Sequence, residues 1–223
     1  GKTALYSLTT GAGNVAVGYA SLAAQNTGSR NLAIGYQSMD AAANAEDDNI
    51  AIGYDALGNM NNADSDKNIA IGNYAGDGIG TVGGTHNIFM GHDSGGGIWT
   101  GTDSTGNVGI GNYVMDAAMN GAHDNTAVGH NAMSGVTLGD GNTAMGYNCA
   151  VNITEGSNNV VLGKNAGDSI TTANKLTLVG GEAGAAVTVT NSATSDGTVA
   201  VGYSALTALT SGAGNVAIGY TAM

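Results

Sequence analysis

The chain has no proline, which removes collagen-like and proline-rich linker architectures from a sequence of 223 residues that contains 39 glycines. Its single cysteine, Cys149, precludes a disulfide within the chain, so the redox character of its compartment cannot be read from it. Aromatic residues are 5 % of the total, with one Phe and one Trp, too few to fill a conventional globular core of this length. Basic residues are equally scarce. Five Lys and Arg against 17 Asp and Glu give a net charge of -12, which argues against a nucleic-acid backbone or an anionic membrane surface as partner. There is no secretory signal and no apolar run long enough to span a membrane, so membrane insertion is not expected.

What the sequence has in abundance is repetition. A glycine returns in the same local setting at Gly1, Gly18, Gly35, Gly53, Gly72, Gly91, Gly111, Gly129, Gly146, Gly163, Gly180, Gly202 and Gly219, at intervals of 17 to 22 residues. A supersecondary unit copied about twelve times means a solenoid or array. Before the glycine stand an asparagine, an apolar residue, a small residue and a second apolar residue, as in Asn31-Leu32-Ala33-Ile34-Gly35 and Asn49-Ile50-Ala51-Ile52-Gly53. Alternation rich in Val and Ile and closed by glycine predicts a very short strand followed by a turn, and each repeat is too short for a helix. The expected fold is an all-β parallel β-roll or β-helix solenoid of about twelve short coils, with 1–223 forming a single repeat array. That array is expected to be a segment of a longer fibre or a subunit that stacks end to end. In this reading the apolar pair, such as Ile50 and Ile52, fills the coil interior, while the small middle residue faces a neighbouring subunit or an opposite layer.

Behind the glycine runs a second pattern ending either in a large apolar residue, as in Asp55-Ala56-Leu57, or in another glycine, as in Asp93-Ser94-Gly95. The remainder of each repeat is polar and turn-forming, and insertions collect there. Cys149 sits where Ala or Ser stands in most copies and reads as a buried small filler. The 22-residue interval holding Val187-Thr188-Val189-Thr190 reads as an extra strand pair or bulge.

Asparagine opens ten of the strand motifs, at Asn14, Asn31, Asn49, Asn68, Asn87, Asn107, Asn125, Asn142, Asn159 and Asn215; Leu176 and Thr198 take its place in two others. Amides recurring at one turn of successive coils can bond both to the backbone of the turn and to each other, a structural ladder that holds register. Tyr19, Tyr36, Tyr54, Tyr147, Tyr203 and Tyr220 follow the repeat glycine, and His92 and His130 take the same position, so these histidines read as members of a surface row rather than as bases or ligands. The acids, as at Glu46-Asp47-Asp48 and Asp64-Ser65-Asp66, read as surface solvation. Oxygen ligands at calcium-loop spacing are absent, no serine is singled out by a base and an orienting acid, and the Gly-x-Gly strings lack a following helix. No catalytic, metal or cofactor site is expected. One segment breaks the monotony: Gly95 to Asp103 contains Trp99, which either stacks on a sugar, with Asp103 beside it and Tyr19, Tyr36 and Tyr54 as further glycan contacts, or covers the coil beneath it.

The stretch from Gly1 to Gly18 resembles the repeat of phage tail fibres and related adhesins, and Asn87-Ile88-Phe89-Met90-Gly91-His92-Asp93-Ser94-Gly95 is similar to its second common variant. The Asn-apolar-Ala-apolar-Gly core also resembles the head repeats of trimeric autotransporter adhesins. The resemblance covers nearly the whole chain and implies a homotrimer. The function expected is a non-enzymatic structural or adhesive segment of an extracellular or virion fibre, supporting attachment to a host or cell surface. The alternatives are direct binding of a cell-surface glycan or receptor by the side loops, and a tailspike-like polysaccharide depolymerase, which would need carboxylates clustered on one face.

Overall fold

The structure, a computed structural model, describes residues 1–185, 196–209 and 212–223. Val187 to Thr190, read above as an extra strand pair or bulge, lie outside the described residues. The chain divides into two compact units, Gly1–Gly121 and Ala122–Met223. In the first unit the strands are β1 (Val15–Val17), β2 (Leu32–Ile34), β3 (Ile50–Ile52), β4 (Ile69–Ile71), β5 (Ile88–Met90) and β6 (Val108–Ile110), each pairing parallel with the next. The second holds β7 (Thr126–Val128), β8 (Thr143–Met145), β9 (Val160–Leu162), β10 (Thr177–Val179), β11 (Val199–Val201) and β12 (Val216–Ile218), paired in the same way. The fold is an all-β parallel β-solenoid, with no helix among the described residues. Register follows the repeat: Leu32, Ala33 and Ile34 oppose Ile50, Ala51 and Ile52 although 18 residues separate them.

The strands turn the opposite way from the sequence-based expectation. The small middle residue points into the coil: Ala33, Ala51, Ala70, Ala127 and Ala200 are all fully buried. The flanking apolar pair points out, with Val15, Val17, Ile34, Ile71, Ile110, Met145 and Val160 among the exposed large hydrophobic residues. The reason is volume. A coil of about 17 residues is narrow, and its interior already receives Leu22, Met39, Leu57 or Met133 from the turn after the glycine, all fully buried. Only a methyl group remains to be fitted from the strand.

The exceptions support this account. Where the turn supplies glycine instead of a large residue, the strand or an adjacent coil supplies bulk. Phe89, at the middle of β5, occupies space beside Gly95 and Gly76, and Leu178, at the middle of β10, fills the space beside Gly184 and Gly167. The large-apolar and glycine versions of the turn are thus two solutions to one packing constraint.

The turn that delivers these residues is made from left-handed backbone. Asp55 and Leu57, two and four residues after Gly53, have φ of 56° and 51°, and Asp48, just before Asn49, has φ of 61°. Each non-glycine residue in this region costs about 1–2 kcal/mol. The cost is offset by bonds between coils: Asp55 N–H donates to Tyr36 O at 2.9 Å and Leu57 N–H to Ala75 O at 2.9 Å. The repeat glycine is required for a separate reason. At Gly35, φ is 147°, and a methyl group there would collide with the carbonyl oxygen of Gly53 in the next coil.

Candidate functional site

Stacking of equivalent positions converts single residues into rows, and the candidate functional groups are these rows. The asparagine row runs inside. In the first unit Asn68 N–H donates to Asn49 Oδ1 at 2.9 Å, Asn68 Nδ2 donates to Asn49 Oδ1 at 3.2 Å and to Gly84 O at 2.7 Å, and Asn68 Oδ1 accepts from Asn87 N–H at 3.0 Å. The pattern continues from Asn14 and Asn31 through Asn107. In the second unit it runs Asn125, Asn142, Asn159, and Asn159 Oδ1 then accepts from Leu176 N–H at 2.9 Å. Leu176 has no amide to pass the pattern on, and the buried Thr198 Oγ1 has no partner. Asn215 lies apart, its Nδ2 donating to Gly212 O.

A second row is aromatic and faces solvent. Tyr19 and Tyr36 stack with ring centroids 5.0 Å apart and planes 16° apart, and Tyr36 and Tyr54 stack at 5.4 Å and 5°. The row continues with Tyr74, His92 and Tyr113 at centroid spacings of 5.2, 5.8 and 5.4 Å. In the second unit His130 stacks on Tyr147 and Tyr203 on Tyr220. Tyr19, Tyr36 and Tyr54 are 40–46 % exposed, which leaves one edge of each ring open to a ligand.

Trp99 does not join them. It is 2 % exposed, meets Phe89 edge-on at 6.1 Å and lies beneath Gly84, so it covers the coil and offers no free face to a sugar. Of the two readings of Trp99, the burial fits the one in which it covers the coil and not the one in which it stacks on a sugar. Asp103 is exposed and lines a cleft of about 280 Å³ with Asp64, Val82, Gly83, Gly84 and Thr85. Trp99 therefore backs one wall of the cleft that Asp103 borders, while the tyrosine row is a separate feature.

The acids are only partly the solvated surface expected from sequence. Asp47 and Asp48 fit that reading and pair with Arg30, Asp48 being held below its ordinary pKa by that guanidinium. Glu46 is fully buried; its Oε2 accepts from Asn44 N–H at 2.9 Å, and desolvation raises its pKa. A third row, missed in the sequence, consists of Asp40, Asp55, Asp77, Asp93 and Asp116 on successive coils. Asp55 and Asp93 lie two residues after the repeat glycine and lean over Gly58 and Gly96, the fifth residues, which is the position from which Asp40, Asp77 and Asp116 project. Asp77 is pushed up to about 7, chiefly by burial and then by the charges of Asp93 and Asp55. The legible signal was the alternation of aspartate between fifth and second positions, with glycine at the fifth wherever aspartate stands at the second.

Cys149 occupies the small-residue slot as expected, buried, with Sγ donating to Val161 O at 3.0 Å; burial pushes its thiol up to about 11. Among the described residues no three His, Cys, Asp or Glu side chains converge as a metal-ligand group, and no helix is long and apolar enough to cross a membrane.

Set against family models, curated proteins and solved structures, the chain matches none.

Proposed function

We propose that the chain is a non-enzymatic structural and adhesive segment of an extracellular or virion fibre, assembled from three copies and supporting attachment to a host or cell surface. The observation that supports this reading is the stacking of equivalent residues into rows along successive coils: amides inside, tyrosines exposed to solvent, and half-buried carboxylates on five coils of the first unit. Rows suit reach and repeated contact, whereas catalysis needs different groups to converge on one reacting atom. Light scattering of the purified chain tests the assembly; a mass of three chains is expected, and a stable monomer overturns the trimer.

A second reading, direct glycan binding, is favoured by the half-exposed stacked rings of Tyr19, Tyr36 and Tyr54. A glycan array should then lose signal on Tyr36→Ala and keep it on Trp99→Phe; equal signals for wild type and Tyr36→Ala would remove this reading. The depolymerase alternative draws on the neighbouring carboxylates of Asp55, Asp77 and Asp93. It requires that Asp77→Asn abolish a measured shortening of polysaccharide, which the structural reading does not expect.

A further inference from the structure

The outward faces of the strands carry two columns of side chains, one from the first and one from the third residue of each strand. In the first unit they read Val15, Leu32, Ile50, Ile69, Ile88, Val108 and Val17, Ile34, Ile52, Ile71, Met90, Ile110. In the second they are again aliphatic, apart from Thr126, Thr143 and Thr177. None of these positions on the twelve strands is charged, in a chain with 17 acidic and five basic residues. A sheet with one face in water alternates apolar with polar, and strands apolar on both sides belong to sheets covered on both faces. Here the coil interior covers only the alanine side.

We infer that this outer face is the surface through which copies of the chain bind one another. The inference rests on the assembly reading above and specifies which surface makes the contact. Three physical arguments select a second copy as the occupant. The first is electrostatic: chains of charge -12 repel, and the strand face is where two of them can meet without bringing carboxylates together. The second is geometric. Side chains stand in rungs about 4.8 Å apart, and a copy of the same chain carries the same spacing, so ridges of one column can seat between ridges of another along the whole strip. The third is area. Six rungs of a strand three residues wide give roughly 300 Å² of flat apolar strip per unit. Each unit contributes such a strip by itself, a substantial share of the ~800 Å² per partner of a standard stable interface.

The alanine side, expected from sequence to meet a neighbouring subunit or an opposite layer, is excluded from the first of these roles because it is buried within the coil. The contact is made by the larger residues, so the face offers dispersion and desolvation in place of close backbone approach.

The test compares wild type with Ile34→Lys and Ile71→Lys, both 37 % exposed, and with Asn59→Lys on an exposed turn, using light scattering for mass and far-UV circular dichroism for fold. The expected result is that wild type and Asn59→Lys share one multi-chain mass, while the isoleucine variants keep their spectrum and fall to the single-chain 21.7 kDa. If the isoleucine variants lose their spectrum, a milder substitution decides: Ile52→Cys should be joined between chains by a short bismaleimide and Asn59→Cys should not, with the buried native Cys149 giving little background. An assembled wild type whose isoleucine variants stay assembled, or whose Ile52→Cys gives no inter-chain product, overturns this inference and leaves the assembly reading standing. A monomeric wild type overturns both.

Discussion

At the scale of the residue, the interior amides are expensive positions to change. Each ladder asparagine satisfies a turn carbonyl and a backbone N–H of the next coil, and leaving a buried polar group unpaired costs about 1–3 kcal/mol. This row was legible in the sequence because its members keep one phase of the repeat. The aspartate row was not, since its members come from two phases and meet only when Asp55 and Asp93 bend over a glycine. It has a measurable consequence. Asp77 holds its proton more tightly folded, at about 7, than at its ordinary 3.8, so its contribution to stability is most favourable below 3.8, declines as pH rises between 3.8 and 7, and stays at its lowest above that. Burial also raises Asp40, Asp55 and Asp116, which act in the same direction. Thermal melting should show Asp77→Asn more stable than wild type at pH 8, with a smaller gain on moving from pH 8 to pH 5. An unchanged pH response in the variant contradicts the assignment.

At the scale of the element, strand position was readable from Asn-apolar-small-apolar-Gly, but strand orientation was not. Both faces are apolar, so alternation alone does not say which is inside, and side-chain size suggests the wrong answer unless the turn residues are counted in the same cross-section. Leu22, Met39 and Leu57 reach the interior only because the turn adopts left-handed φ at residues that are not glycine, which local propensity disfavours. The shared cross-section makes Phe89 and Gly95 interdependent. Phe89→Ala should cost about 3–5 kcal/mol in urea denaturation. Adding Gly95→Leu, at a φ of 68° close to the 51° of Leu57, should recover part of that loss. Gly95→Leu alone should destabilise, because its side chain would run into the Phe89 ring. Additive effects in this cycle would contradict the volume argument.

At the scale of the whole molecule, the charge of -12 and the uncharged strand faces act against each other. Screening shortens the reach of repulsion from about 10 Å at 0.1 M salt to about 3 Å at 1 M, while apolar contact persists. Sedimentation across this range should show self-association strengthening with sodium chloride; weakening would mean that ion pairs, not aliphatic columns, hold the copies. Composition showed that the chain is acidic and lacks a conventional aromatic core, and the repeat showed that it is a solenoid. The outward destination of the isoleucines became visible only once the turns were seen to fill the coils.

The tyrosine row carries one more implication. Because successive coils of the first unit present the residue after the repeat glycine at a spacing set by strand pairing, coil lengths of 17 to 20 residues notwithstanding, positions 19, 36 and 54 behave as graduations on a molecular ruler. A fluorophore or sugar-binding group attached at chosen graduations would be held at whole multiples of one rung, so the distance between two attached groups could be dialled by counting repeats.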